Sequence, residues 1–130
     1  MPRFSKQDVT PKQDGPGTEW RAELDGYTVS MVAVSADTDL TELLKGLPND
    51  QCPSPHWGVV TRGSMWFRHG DGEEVFGAGD AFYVPSGHTA GASEGAEFVI
   101  FSPSEVMATV EAHMASRAEV LFGARTEARG

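Results

Sequence analysis

Residues 52–88 constrain the fold of this chain more than any other stretch, because their apolar runs are too short for helices and are closed at regular intervals by turn residues. Two runs, residues 58–60 and 65–67, flank Gly63, and a third, residues 81–84, is closed by Pro85-Ser86-Gly87. Short β-branched and aromatic runs punctuated by Gly, Asp and Pro read as strands joined by tight turns. The tetrad His69-Gly70-Asp71-Gly72 supplies residues that tolerate positive φ, so a hairpin turn is expected there with His69 in solvent. The same stretch holds the only cysteine and three of the four histidines. These fall at the ends of the expected strands, where a rigid sheet can aim them inward.

Two spacings here resemble a known family. Gly79, five residues, Pro85, one residue and Gly87 are similar to the start of the second sequence motif of the cupins, small β-barrels of the jelly-roll type. Gly63 preceded by Val-Val-Thr-Arg resembles the end of their first motif, which usually runs His-x-His, three or four residues, Glu, six residues, Gly. Counting back from Gly63 puts His56 at the place of the Glu, Cys52 at the second His and Asp50 at the first. The metal-binding His of the second motif would fall at Ala90, and His88 lies two residues before it. The resemblance covers residues 50–102 and implies an all-β cupin barrel with a short helix before the first motif and a C-terminal helix. It also implies a metal site whose usual ligands have been replaced.

Cys52, His56 and His88 would form a thiol-plus-imidazole set, which suits zinc, iron, nickel or copper far better than magnesium or calcium. A divalent transition metal (zinc, iron or nickel) is the cofactor expected if all three reach one barrel mouth. Beside this stands the plainer reading of a small buried thiol and two hydrogen-bonded wall histidines. Trp57, Trp66, Phe82 and Tyr83 are the side chains expected to line the substrate pocket.

Taken in order, residues 1–18 carry three prolines and two glycines among polar residues and read as a loose arm. In residues 20–25 Trp20, Ala22 and Leu24 alternate with Arg21, Glu23 and Asp25, a half-buried strand, and Asp25-Gly26 makes a turn into a second strand, so residues 20–34 read as a hairpin. A short helix is expected over residues 40–44, with Thr38 or Asp39 as cap and Gly46 as stop. Three prolines make residues 48–55 a rigid loop that fixes how Cys52 and His56 enter the cavity. Glu73 and Glu74 are adjacent and therefore point to opposite faces as surface residues. Residues 97–101 form a further strand, in which the sequence leaves open whether Glu97 or Phe98 faces inward. Ser102-Pro103-Ser104-Glu105 reads as a capping box opening a C-terminal helix over residues 103–123, with Val106, Val110, Met114 and Leu121 on its apolar side, His113 beside them and a fraying tail after it. The barrel itself is expected over residues 19–102.

At 130 residues the chain is long enough to bury one core without disulfides. A single cysteine and the lack of a long apolar run lead to the expectation of a reduced, cytoplasmic protein without a membrane segment. The formal charge of −9, with scattered basic residues, argues against nucleic acid and against anionic lipid as partners. A small molecule is the expected ligand, and the resemblance implies a homodimer. Whether the chain is an enzyme is left open by its residues. A metal-dependent enzyme acting on a small organic molecule stands beside a metal-free module that only binds or senses such a molecule. A purely structural role and a Cys52 nucleophile with His56 as base are the weaker readings.

Overall fold

The computed structural model describes residues 2–123 and shows two antiparallel sheets packed face to face. The strands are β1 (Lys12–Asp14), β2 (Gly17–Leu24), β3 (Tyr27–Val34), β4 (Thr38–Asp39), β5 (His56–Arg62), β6 (Ser64–His69), β7 (Gly72–Gly77), β8 (Ala81–Val84), β9 (Thr89–Ala92) and β10 (Glu97–Pro103). The larger sheet runs β1-β2-β3-β10-β5-β8 and the smaller one β4-β9-β6-β7. Helices α1 (Thr41–Leu44) and α2 (Ser104–Ala118) complete the fold, and α2 runs on into a π-helical turn at Glu119–Gly123. The tail expected over residues 124–130 lies outside the described residues.

The core follows from strand parity. Val34, Val60, Phe82 and Val84 of the larger sheet meet Met65, Phe67, Ala90 and Ala92 of the smaller one, all nearly inaccessible to solvent. Both expected hairpins are present. Asp25 and Gly26 have φ of 50° and 83°, the pair of positive values that a two-residue type I′ turn between β2 and β3 demands. The second hairpin closes at His69↔Gly72 with His69 exposed. At the motif glycine Gly63, φ is +67°, and a Cβ there would lie 2.8 Å from the Ala96 Cα. Only glycine satisfies both conditions.

Three expectations are settled or corrected. Phe98 and Ile100 pack on the core, which turns Glu97 outward to pair with Lys6 at 3.6 Å and Arg62 at 3.3 Å. Within the stretch read as a loose arm, β1 pairs with β2 as an edge strand from Lys12↔Glu19 to Asp14↔Gly17. Ser102 does not cap α2. It ends the inward row Phe98, Ile100, Ser102 on β10, and the helix starts at Ser104 after Pro103 without a side-chain cap. The Ser102 hydroxyl is used elsewhere, as the site shows.

α1 is a single turn whose first free N–H, that of Thr41, is held by Asp39 Oδ1 at 2.9 Å. Leu44 and Leu47 pack with Val106, Met107, Val110 and Met114 of α2 into a second apolar cluster, and Cys52 is part of it. His113 joins the two helical segments through a 2.6 Å contact of its Nε2 to the Lys45 carbonyl. No helix among the described residues is long and apolar enough to cross a membrane.

Candidate metal centre

The proline-rich loop, the first residue of β5 and the turn before β9 bring one thiol and two imidazoles together. Cys52 is tied to the turn by an isolated bridge to His88, with the Cys52 N–H donating to the His88 carbonyl at 2.7 Å and the Gly87 N–H donating to the Cys52 carbonyl at 2.8 Å. Gly87 has φ of +92°, so the tight Pro-Ser-Gly turn that sets this bridge needs glycine at its end. His56 opens β5 opposite Val84 and points inward with Gly58 and Val60. The ligating atoms of Cys52, His56 and His88 all lie within 4.8 Å of one another, and the three residues are 5%, 7% and 1% exposed.

Each imidazole is held from behind. His88 Nδ1 lies 3.0 Å from the Pro85 carbonyl, which can only accept, so Nδ1 carries the proton and Nε2 keeps its lone pair. His56 Nδ1 lies 2.7 Å from the buried Ser102 hydroxyl. Nε2 is therefore the atom each ring offers, and that of His56 stands 3.7 Å from the Cys52 sulfur. In tetrahedral zinc sites, metal–sulfur and metal–nitrogen bonds of about 2.3 and 2.0 Å separate such a pair by about 3.6 Å. One edge of the triangle already has coordination length. Phe67 closes the inner side, its ring 5.3 Å from that of His88 and 6.4 Å from that of His56, while the α1/α2 cluster closes the side of Cys52.

Burial keeps all three groups neutral. It pushes His56 down to about 3, with the nearby His88 adding to the effect, and it lowers His88 and raises the Cys52 thiol. The consequence for the metal-free protein has a definite sign. Below the ordinary imidazole value of 6.5 the unfolded chain takes up a proton at His56 that the folded chain refuses until about pH 3. Stability present above pH 6.5 is therefore lost as the pH falls toward 3, by up to roughly 5 kcal/mol. Urea unfolding midpoints between pH 7 and pH 4 are expected to fall for the wild type and to fall less for His56→Phe, which retains only the part due to His88.

The other candidate residues are dispersed. Of those expected in a substrate pocket, only Phe82 faces the interior, stacked at 5.1 Å on Phe76. Trp57 and Tyr83, 42% and 54% exposed, pair across β5 and β8 on the outer face of the larger sheet. Trp66 lies on the outer face of the smaller sheet, over Gly91 and beneath Arg68. Parity explains all three corrections, since Trp57 follows the inward His56, Tyr83 follows the inward Phe82, and Trp66 sits between the inward Met65 and Phe67. Asp50 is exposed and holds the Gly46 N–H at 2.9 Å, apart from the cluster, and Ala90 is an ordinary core residue opposite Phe67. The contribution of Ser102 went unread because its position also suited a helix cap. The sequence held no deciding signal for it, because the phase of Phe98 and Ile100 is settled only by their packing on the core.

No protein-family model and no curated protein sequence matches the chain. Solved structures do. A mutant of Bacillus subtilis oxalate decarboxylase OxdC superposes with a TM-score of 0.58 at 18% identity over 77% of this chain, which spans only 28% of that longer one. The polyketide cyclase RemF from Streptomyces resistomycificus gives a TM-score of 0.56 at 18% identity, covering 79% of each chain. A structural-genomics protein from Rhizobium leguminosarum gives 0.58 at 19% identity, covering 78% of this chain and 95% of that one. At such identities the likeness concerns backbone architecture alone. Two facing antiparallel sheets, the motif glycines at positive φ in their turns and these superpositions together make the fold of this chain that of a small cupin domain.

Proposed function

We propose that Cys52, His56 and His88 hold one divalent transition metal, zinc, iron(II) or nickel, and that the protein uses it to bind or transform a small organic molecule carrying an anionic oxygen donor. The observation that carries this reading is the convergence of the three donor atoms within 4.8 Å in an apolar, buried setting. A thiolate and two neutral imidazoles leave a divalent ion with one net positive charge. In a site walled by Phe67 and the helix cluster, that charge is best balanced by a single negative fourth ligand, such as hydroxide, carboxylate or enolate.

The chain's own residues have distinct parts in this reading. Cys52 contributes the one negative charge and gives up its proton on loading. His88 is fixed in the ligating tautomer by Pro85, and Ser102 sets the rotation of His56. Phe67 keeps bulk water from the two rings. The bound metal would supply Lewis acidity toward an oxygen of the ligand.

Cobalt(II) titration of metal-free protein tests the centre. One equivalent per chain is expected, with sulfur-to-cobalt charge-transfer absorption, and a chain that takes up neither cobalt nor zinc removes the basis of the reading. The low exposure of all three ligands favours a second version, in which the barrel binds or senses its ligand without turnover. Acetate or oxalate that shifts the cobalt spectrum would show that the fourth position accepts an exogenous carboxylate, and an unchanged spectrum would mark a closed centre.

A further inference from the structure

The two imidazoles of the cluster are supported by groups of different kinds. Behind His88 stands the Pro85 carbonyl, which can only accept, so a single neutral tautomer suits it. Behind His56 stands the Ser102 hydroxyl at 2.7 Å, which donates as readily as it accepts. Either ring nitrogen of His56 can therefore carry the proton as far as Ser102 is concerned. The groups on the other side of the ring decide. Ser102 Oγ lies 2.7 Å from His56 Nδ1, His56 Nε2 lies 3.7 Å from Cys52 Sγ, and Cys52 Sγ lies 3.9 Å from the Ser54 carbonyl. Ser102, His56, Cys52 and Ser54 are 2%, 7%, 5% and 0% exposed, which leaves little solvent to serve as another partner. Three protons, on the hydroxyl, the neutral ring and the thiol, share these three links. All three find an acceptor when Ser102 donates to Nδ1, Nε2 donates to the sulfur and the thiol donates to the Ser54 carbonyl. With the first two links reversed, Nδ1 donates to Ser102 and the thiol to Nε2, and the Ser102 proton is left without an acceptor among the described residues. Thr28, opposite Ser102 on β3, is already engaged with Ser104. An unpaired buried hydroxyl disfavours the reversed chain by roughly 5- to 150-fold.

We infer that Ser102 holds His56 as the Nε2–H tautomer in the metal-free protein, and that metal loading converts the ring to the Nδ1–H tautomer while Ser102 changes from donor to acceptor. The second half of this rests on the proposed metal centre, and the first half does not. Ligation uses the Nε2 lone pair, which the metal-free hydrogen-bond chain occupies with a proton. On loading, Nε2 gives up that proton, Nδ1 gains one and donates it to Ser102 Oγ, and the Cys52 thiol loses its own as the sulfur becomes a ligand. His56 is neutral before and after, so the one proton that leaves for solvent is that of Cys52. His88 needs no such change, because the Pro85 carbonyl keeps its Nε2 lone pair available in both states. The two imidazoles are thus unequal: His88 is preset to ligate, and His56 ligates after its proton has crossed the ring. Where the ligating tautomer is the minor one in the free chain, apparent affinity falls by that fraction. Ser102 is a positioning residue in this scheme, acting through His56.

Long-range proton–nitrogen correlation spectra of the isotope-labelled full chain near neutral pH test both halves, since the two neutral imidazole tautomers have distinct nitrogen shifts. In the metal-free wild type His56 is expected as Nε2–H in at least about fivefold excess, and His88 as Nδ1–H. Ser102→Ala removes the donor behind Nδ1 and is expected to bring the two His56 tautomers within about threefold of each other or to reverse them. Ser102→Thr keeps a hydroxyl and is expected to restore the excess. His88 serves as the internal control and stays Nδ1–H throughout. One equivalent of zinc is expected to move His56 to Nδ1–H. Metal-free His56 found as Nδ1–H overturns the inference, and so does a folded Ser102→Ala chain in which His56 keeps its full Nε2–H excess. Should Ser102→Ala fail to fold, the wild-type spectra with and without zinc still decide. A zinc-loaded chain with His56 still Nε2–H overturns the tautomer change. A chain that shows the assigned metal-free tautomers and takes up no zinc overturns the metal reading, and with it the second half, while upholding the part of Ser102 in the first.

Discussion

Cys52→Ala is expected to abolish cobalt binding at micromolar protein while leaving the barrel folded. In the proposed centre Cys52 would supply the only charge among the three ligands. Without it two neutral imidazoles must hold a divalent ion in an apolar site, with nothing to offset its desolvation. A loss of at least 100-fold in affinity is the expected scale, larger than the roughly 10- to 100-fold typical of removing a residue that only supports a ligand. Stability should change little, because a small thiol is replaced by a small apolar side chain within the cluster of Leu44, Leu47 and Val110. Isothermal titration with zinc and thermal unfolding of the metal-free form separate the two effects. Unchanged zinc affinity in a folded Cys52→Ala protein would remove the thiolate from the centre.

Gly63→Ala is expected to destabilise the fold through two separate effects. The added Cβ would meet three atoms of Ala96 at 2.8 to 3.2 Å, two of them backbone, and the residue would still be held at φ of +67°. Left-handed backbone costs a non-glycine residue about 1–2 kcal/mol, and overpacking against atoms that cannot rotate away adds about 1–3 kcal/mol. A destabilisation of about 3 kcal/mol should lower the melting temperature of a domain this size by 10 °C or more, roughly. Substituting Gly26, whose Cβ would meet nothing within 4 Å, isolates the conformational part. Equal losses at the two positions would show that the contact with Ala96 contributes nothing.

The architecture was legible where local chemistry and tertiary packing agree. The Asp25-Gly26 and His69–Gly72 turns and the strands ending at Gly63 and Pro85 were set by residues with narrow conformational options, and Val106, Val110 and Met114 face the second apolar cluster as their spacing implies, whereas Leu121 is 37% exposed. The convergence of Cys52, His56 and His88 was legible, because a cysteine and two histidines at strand ends have few other places to meet. Its walls were misread by one residue each. His56 and Trp57 cannot face the same cavity in one strand, nor can Phe82 and Tyr83, so placing the ligands inward already sent Trp57 and Tyr83 outward. Two local signals were overruled by tertiary contacts. Ser102 fits a helix cap by sequence but is drawn to His56 across the barrel, and Asp50 fits a motif ligand but secures the Gly46 N–H in its own loop. Which face of β2 meets the core was not readable at all. Its alternation is equally regular in both phases, and only the register shows that Glu19 and Arg21 share a face with Val32, Ser30, Phe98 and Ile100, with Arg21 and Glu23 still exposed near the sheet edge.

One sulfur and two imidazoles acting together on a metal leave a distinctive coordination shell. X-ray absorption at the metal edge of protein loaded with one equivalent of zinc tests it most directly. One sulfur at about 2.3 Å, two imidazole nitrogens at about 2.0 Å and a single light-atom fourth ligand are expected. A coordination shell with oxygen and nitrogen alone, and no sulfur, would contradict it.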